Sequence, residues 1–135
     1  MRLLIVNAFE DLDTPLQAIS ESLSQLPVTI SSLDLAKEGF SDFMSERERE
    51  AYHLENNLVS PAQKRSAELV KSTEGLILCY PLTNDIFPAI AKSWFERVFI
   101  PGVSFTFSES GRVKGALKIY ATFTSLLLPN QIQRK

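Results

Sequence analysis

The stretch GLILCYPLTNDIFPAIAKSWFERVF, residues 75–99, joins a short apolar run to an amphipathic segment through a loop that contains two prolines. The run 75–79 is apolar throughout, which is typical of a strand buried on both faces of a sheet. Residues 88–99 carry apolar side chains at helical spacing and predict a helix. The loop between them therefore leaves the carboxyl end of a buried strand, where open parallel sheets bind ligands.

The same alternation of strand and helix extends over the rest of the chain. Residues 3–6 predict a buried first strand, and Thr14 with Pro15 predicts a helix start, because the hydroxyl can cap and proline fits the first turn. Such alternation implies right-handed crossovers and a parallel sheet covered on both faces. We predict an α/β three-layer sandwich with four parallel strands in the order 2-1-3-4. The remaining predicted elements are a helix ending at Pro27, a strand 28–35, a short helix within 39–57, a helix from Ser60 with Ala67 and Val70 inward, a strand-like piece 102–107 and a strand near 116–122.

Composition excludes several classes of protein. The chain has 135 residues, which fits one domain, and a net charge of −2 with scattered basic residues, which argues against nucleic-acid binding. No stretch approaches the roughly 18 to 20 apolar residues of a membrane span, and the N-terminus is typical of a strand rather than a signal peptide. Cys79 is the single cysteine and is expected to be a buried structural thiol. These features predict a cytoplasmic protein.

Several conspicuous residues have a structural interpretation. The alternating charges of EREREAYH, residues 46–53, predict a solvent-facing surface, and His53 within it is expected to be exposed. The periodicity of residues 88–99 places Trp94 and Phe95 in packing contacts. Glu96 and Arg97 are expected to form structural pairs with neighbours.

The chain resembles a known family over nearly its whole length. YPLTNDIFPAIAKSWFERVFIPGVSFTF (80–107), GRVKGALKIYATFTS (111–125) and DLAKEGFSDFMSEREREAYH (34–53) are similar to the flavodoxin-like NAD(P)H oxidoreductases. This family includes quinone reductases and FMN-dependent azoreductases. Pro88, Lys92, the run 94–99 and Gly102 carry the resemblance.

The resemblance implies a flavoprotein that takes hydride from NAD(P)H and passes it, through FMN or FAD, to a quinone or a similar small-molecule acceptor. Three loops would hold the flavin, namely 8–16 at the phosphate, 81–86 along the ring and 122–125 as the third wall. Neither a catalytic side chain nor a metal ligand is implied. The implied cofactor-binding residues are Thr14, Pro81, Leu82, Thr83, Asn84, Asp85, Ile86, Thr122, Phe123, Thr124 and Ser125.

The resemblance also implies a single flavodoxin-like domain over residues 1–135. Family members continue beyond the third flavin loop for a further strand and helix, so the usual fifth strand is expected to be missing and the chain to be C-terminally shortened. The apolar segment 93–105 exceeds what a small core needs, which together with the resemblance predicts a homodimer.

A second hypothesis remains open because the flavin loops depart from the family pattern. Glu10, Asp11 and Asp13 crowd the first loop with negative charge, and Thr124 stands where the third loop usually has glycine. Carboxylates near a phosphate are repulsive. The alternative to the oxidoreductase is therefore a flavodoxin-like binding or regulatory module that has lost its flavin site.

Overall fold

In the part of the chain that the structure describes, a parallel sheet of three strands forms the centre. The structure is a computed structural model, and it describes residues 1–9, 16–81 and 87–119. Strand β1 (Arg2–Asn7) lies between β2 (Thr29–Asp34) and β3 (Gly75–Cys79), and both pairs are parallel. The predicted α/β class and the predicted order 2-1-3 for these strands are confirmed.

Four helices accompany the sheet in the described ranges 1–9, 16–81 and 87–119, and local sequence explains where the third of them starts. They are α1 (Leu16–Leu23), α2 (Glu46–Ala51), α3 (Pro61–Lys71) and α4 (Ala89–Val98). At the start of α3 the Ser60 hydroxyl accepts from the Gln63 backbone N–H at 3.2 Å, and the Gln63 side chain accepts from the Ser60 N–H at 3.2 Å. This reciprocal cap fixes the helix start that the sequence predicts.

The first helix is shorter than its periodicity predicts. It ends at Leu23 rather than just before Pro27, and Leu26 is 53% exposed beyond it. Because the Leu26 side chain lies in solvent, a helix extended to that residue would bury no further apolar surface. Apolar packing therefore does not favour the longer helix. The predicted start at Thr14 and Pro15 lies outside the described residues.

The sheet has a large core on one face and a small one on the other. The large cluster contains Leu4, Val6, Leu76 and Leu78 from the strands together with the inner faces of α3 and α4. The small cluster contains Ile5, Phe9 and Cys79, covered by half-buried side chains of α1. Period-two alternation along β1 sends its side chains to the two cores in turn, which gives three layers.

A small antiparallel hairpin follows α4. It consists of β4 (Phe105–Phe107) and β5 (Val113–Gly115). The strand-like character predicted for 102–107 is therefore confirmed for residues 105–107, whereas residues 102–104 form a turn. Of the further strand predicted at 116–122, residues 116–119 form no strand, although Leu117 and Ile119 pack against the large core. The rest of that strand, and with it the fourth position in the predicted order, lies outside the described residues.

A buried ion pair joins the second helix to the fourth. The Arg97 side chain donates to both carboxylate oxygens of Glu48, at 2.9 to 3.1 Å, and the two residues are 7% and 3% exposed. The prediction that the run 46–53 faces solvent is therefore wrong for Glu48. Arg97 pairs with this carboxylate in the interior, so its predicted role as a structural pair is confirmed.

Each partner of the ion pair has further hydrogen bonds. Arg97 Nη1 donates to the carbonyls of Gly39 (3.1 Å) and Asp42 (3.4 Å), and its guanidinium lies 4.8 Å from the centre of the Phe40 ring. Glu48 accepts from the Ser45 N–H at 2.7 Å. Buried charges are tolerated only when they are paired and hydrogen-bonded in this way.

The packing interpretation of Trp94 is confirmed. Its side chain is fully buried in the large core, and Nε1 donates to Ser66 Oγ at 3.2 Å. Phe95 is half-buried beside it, with ring centres 4.9 Å apart. His53 is exposed, as predicted, and its ring contacts Tyr52. No helix within residues 1–9, 16–81 and 87–119 is long and apolar enough to cross a membrane.

The ion pair predicts an acid-sensitive contribution to stability. Burial raises the pKa of Glu48, but hydrogen bonds from Arg97 and Ser45 and the charge of Arg97 outweigh burial, so the pKa lies below its ordinary value. A carboxyl group whose pKa is depressed by folding stabilises the fold above its unfolded pKa and loses that contribution as the pH falls. We expect Glu48→Gln to lower the unfolding free energy by about 3 kcal/mol at pH 7, because it leaves Arg97 buried without a counter-charge.

The difference in unfolding free energy between Glu48→Gln and wild type should become smaller as the pH falls below the ordinary glutamate pKa range of about 4 to 4.5. Urea unfolding of both proteins at pH 7, 5 and 3.5 measures it. Glu50→Gln, an exposed substitution in the same helix, is the control and should change stability by less than about 0.5 kcal/mol. A Glu48→Gln loss that is equal at all three pH values would contradict this assignment.

Candidate functional site at the carboxyl edge of the sheet

The three parallel strands end side by side at one edge of the sheet. Asn7, the last residue of β1, is opposite Asp34 of β2 and opposite Cys79 of β3. The chain segments that follow β1 and β3 therefore start next to each other. This edge corresponds to the crevice where open α/β sheets bind ligands.

Asn7 organises this edge although it was not predicted to be a site residue. Its side chain is 1% exposed; Oδ1 accepts from the Phe9 N–H at 3.2 Å, and Nδ2 donates to Asp34 Oδ2 at 3.4 Å. The other oxygen of Asp34 accepts from the Lys37 N–H at 3.2 Å. One amide thus fixes the turns that follow two neighbouring strands. The sequence signal was a polar residue that ends an apolar strand, a position where side-chain to backbone hydrogen bonds favour a turn.

Backbone hydrogen bonds extend the connection between the strand ends. The Ala8 N–H donates to the Cys79 carbonyl at 2.8 Å, and the Leu35 N–H donates to the Asn7 carbonyl at 3.0 Å. Burial raises the pKa of the Cys79 thiol, which keeps it protonated and poorly nucleophilic. The cysteine is therefore a structural residue at this edge, as predicted from the sequence.

Aromatic side chains border the segment that follows β3. Tyr80 and Pro81 are half-buried, and Phe87 is 41% exposed. The Tyr80 and Phe87 rings meet edge to face with centres 5.2 Å apart, and the Phe87 and Phe95 ring centres are 6.1 Å apart. The edge therefore has a half-exposed apolar rim, which suits the flat face of a ring-shaped ligand.

The structure places one of the predicted cofactor-binding residues at this edge. Pro81 is the second residue after β3, whose end lies beside the ends of the other strands. The predicted residues that lie outside the described part of the chain are Thr14, Leu82, Thr83, Asn84, Asp85, Ile86, Thr122, Phe123, Thr124 and Ser125.

A separate hollow of about 380 Å³ lies against α3. It is lined by residues of the segments 55–58 and 102–103 and by two lysines of the helix, Lys64 and Lys71. None of these residues belongs to the ends of the parallel strands, so the hollow is not part of the edge described above. Across residues 1–9, 16–81 and 87–119, no group of three His, Cys, Asp or Glu side chains could hold a metal ion.

Comparison with known proteins identifies the family. A sequence profile of the family described as flavodoxin-like fold matches residues 1–125. The chain belongs to this family. A search of curated proteins found no significant match.

Solved structures share the fold at low sequence identity. An NAD(P)H:quinone oxidoreductase from Methanothermobacter marburgensis matches with a TM-score of 0.73 and 22% identity, over 98% of this chain and 71% of that one. An FMN-dependent NADH-azoreductase from Bacillus anthracis str. Ames Ancestor, solved with FMN, has a TM-score of 0.61 and 21% identity, over 92% and 68%. A putative quinone reductase from Klebsiella pneumoniae has a TM-score of 0.66 and 16% identity, over 93% and 58%.

Asn7 provides a test of how the edge is held. In Asn7→Asp the carboxylate can still accept from the Phe9 N–H, but it faces Asp34 where the amide donated. Ionisation of both carboxylates at this distance is unfavourable because their charges repel. In the variant the pKa of one of them therefore rises above its value in the unfolded chain, and the stability of the variant falls as the pH rises. We expect a loss of about 2 kcal/mol at pH 7 that becomes smaller toward pH 4.5.

Urea unfolding at both pH values, referenced to wild type at the same pH, measures this effect. Asn7→Ala is the control, because it removes both hydrogen bonds without adding charge and should lose the same amount at each pH. An Asn7→Asp loss that does not change with pH would show that the side chains of residues 7 and 34 do not interact.

Proposed function

We propose that this protein is a flavin-dependent NAD(P)H oxidoreductase that reduces a quinone or a similar two-electron acceptor. The observation that carries the proposal is the adjacency of the β1 and β3 carboxyl ends, which brings the loops after Asn7 and Cys79 out of the sheet side by side. Family membership and the quinone reductases and azoreductases among the structural matches support it.

The described residues at this edge fit a flavin. An isoalloxazine ring is flat and apolar on its faces, and the strand ends carry the apolar rim of Tyr80, Pro81 and Phe87. When bound, a flavin accepts hydride from a nicotinamide and delivers two electrons to an acceptor. The protein's part is to bind, orient and shield the ring.

The proposal assigns three segments to the cofactor. Thr14, at the approach to α1, would serve the phosphate end, where helix N–H groups can donate. The second segment would lie along the ring; its residues are Pro81, Leu82, Thr83, Asn84, Asp85 and Ile86. The third wall would be formed by Thr122, Phe123, Thr124 and Ser125. Both FMN and FAD, and both NADH and NADPH, are compatible with this assignment.

We also propose that the protein acts as a cytoplasmic homodimer. The apolar segment 93–105 is largely used inside the chain, where Trp94, Val98, Ile100 and Val103 are buried. The hairpin that follows keeps Phe107 55% exposed and Val113 67% exposed, directly opposite each other. Exposed apolar patches of this kind mark contact surfaces. Sedimentation velocity at micromolar concentration distinguishes a dimer from a monomer of 15.2 kDa.

One observation favours the alternative of a binding or regulatory module. Glu10, Asp11 and Asp13 lie in the loop assigned to the phosphate, and each carboxylate near an anion costs on the order of 1 kcal/mol. A protein with this function would keep the fold and bind no flavin.

Flavin titration tests both functions. We expect wild type to quench FMN or FAD fluorescence with saturation, and the triple variant Glu10→Gln, Asp11→Asn, Asp13→Asn to bind roughly a hundredfold more tightly at low ionic strength. The gain should decrease at high salt, because screening weakens the repulsion. A second triple variant, Glu46→Gln, Glu50→Gln, Glu55→Gln, makes the same change in net charge at exposed positions elsewhere and should bind like wild type.

The outcomes separate the hypotheses. Saturable binding followed by NAD(P)H-dependent bleaching of the flavin under anaerobic conditions supports the oxidoreductase. Equal affinities of all three proteins at low salt remove the electrostatic argument about the first loop. If none of the folded proteins binds FMN or FAD at millimolar concentration, the oxidoreductase proposal is wrong and the module is favoured.

A further inference from the structure

We propose that the hollow against α3 is a binding site for a small phosphorylated molecule that also carries hydroxyl groups, such as a sugar phosphate. The hollow is lined by residues of the segments 55–58 and 102–103 together with Lys64 and Lys71. Its volume of about 380 Å³ is within the range of roughly 300 to 1,000 Å³ that small-molecule sites occupy. The hollow is separate from the strand ends, so this inference does not rest on the proposed function.

Two lysines give the hollow its positive charge. Lys64 and Lys71 are seven residues apart in α3, so they lie on the same face of the helix, roughly 10 Å apart along its axis. Neither lysine forms an ion pair with a residue in the ranges that the structure describes. A phosphate monoester carries about −1.5 to −2 charges at pH 7. It therefore matches two ammonium groups better than a single carboxylate does.

Asn57 supplies an acceptor for a hydroxyl group of the ligand. Its side chain is 5% exposed, and Nδ2 donates to the carbonyls of Tyr52 at 3.1 Å and Pro101 at 2.8 Å. Both amide hydrogens are then used, which fixes the orientation of the amide. Oδ1 accepts no hydrogen bond from the described part of the chain, where no fully buried side-chain atom lacks a partner, so solvent reaches this oxygen. Since Asn57 lines the hollow, a ligand hydroxyl can take the place of that solvent.

Glu55 and Gly102 determine how a ligand would be oriented. The exposed carboxylate of Glu55 lines the hollow, where it would repel a phosphate and accept hydrogen bonds from hydroxyl groups. We therefore expect the phosphate at the lysines and the hydroxyl groups near Glu55 and Asn57. A Cβ atom at Gly102 would meet no atom within 4 Å, so a ligand can lie close to the backbone there.

The experiment titrates isotope-labelled protein with ribose 5-phosphate and, separately, with inorganic phosphate and with ribose. Amide chemical shifts locate the binding. Residues 55–58 and 102–103 report the hollow, and residues 7–9 and 79–80 report the strand ends. All titrations share one pH and one low ionic strength, because screening weakens the attraction to the lysines.

Four variants test the assigned roles. Lys64→Gln and Lys71→Gln each remove one charge of the hollow, and Lys114→Gln removes an exposed lysine of the hairpin as the matched control. Glu55→Gln removes the negative charge of the hollow. The four side chains are exposed, so urea unfolding should give midpoints close to wild type for every variant.

We expect ribose 5-phosphate to shift the amides of the hollow with saturation in the millimolar range, and to bind severalfold more tightly than inorganic phosphate. Ribose alone should not saturate. Lys64→Gln and Lys71→Gln should each weaken ribose 5-phosphate binding about three- to tenfold, whereas Lys114→Gln should bind like wild type. Glu55→Gln should bind inorganic phosphate more tightly than wild type does.

Three results would overturn the proposal. The first is the absence of saturable shifts in the hollow, or shifts confined to the strand ends. The second is a ribose 5-phosphate affinity no higher than that of inorganic phosphate, because the hydroxyl groups would then find no partner. The third is an equal loss of affinity in Lys114→Gln, which would show a general effect of net charge rather than a site.

Discussion

The buried ion pair between Glu48 and Arg97 is the interaction on which the rest of the arrangement depends. Desolvating two charges costs several kcal/mol for each ion, and the cost is offset only when geometry and additional hydrogen bonds are good. Here the guanidinium donates to both carboxylate oxygens and to the carbonyls of Gly39 and Asp42, so its donors are used in four places. The pair therefore ties the long connection after β2 to α4.

Neighbouring hydrogen bonds reinforce this connection. Ser93 of α4 donates to the Asp42 carbonyl at 2.7 Å, and the Gln63 side chain donates to the Arg97 carbonyl at 2.8 Å. Both hydrogen bonds join α4 to parts of the chain that precede β3 in sequence. The helix that follows the candidate site is thus fixed by polar contacts as well as by the apolar packing of Trp94.

The candidate site depends on this scaffold through the strand ends. The sheet places Asn7, Asp34 and Cys79 in one row, and the fixed helix α4 holds Phe95 beside Phe87. At that edge the side chains that the structure describes include the Asp34 carboxylate as well as the partly exposed rings of Tyr80 and Phe87.

Much of the fold could be predicted from local patterns. The apolar runs 3–6 and 75–79 became strands because a strand buried on both faces needs apolar side chains at every position. Ser60 with Pro61 defined the start of a helix through capping chemistry, which involves neighbours in sequence only. The alternation of strands and helices indicated the parallel sheet, whose described strands lie in the predicted order 2-1-3.

Long-range partners could not be predicted in this way. Glu48 lies in a run of alternating charge that is typical of a solvated surface, and its partner Arg97 is 49 residues away. The role of Asn7 likewise depends on Asp34, which reaches it only through the pairing of two strands. The cofactor-binding residues came from a family resemblance, and of these only Pro81 lies in the described part of the chain.

A double-mutant cycle on the ion pair tests the central claim most directly. Glu48→Gln, Arg97→Met and the double variant are unfolded with urea at pH 7 and compared with wild type. If the pair is the shared anchor of α4 and the 39–60 connection, either single substitution leaves an uncompensated buried group, and the double variant loses at least about 1.5 kcal/mol less than the sum of the two. Losses that add to within about 0.5 kcal/mol would mean that the two side chains act independently, and would contradict the account.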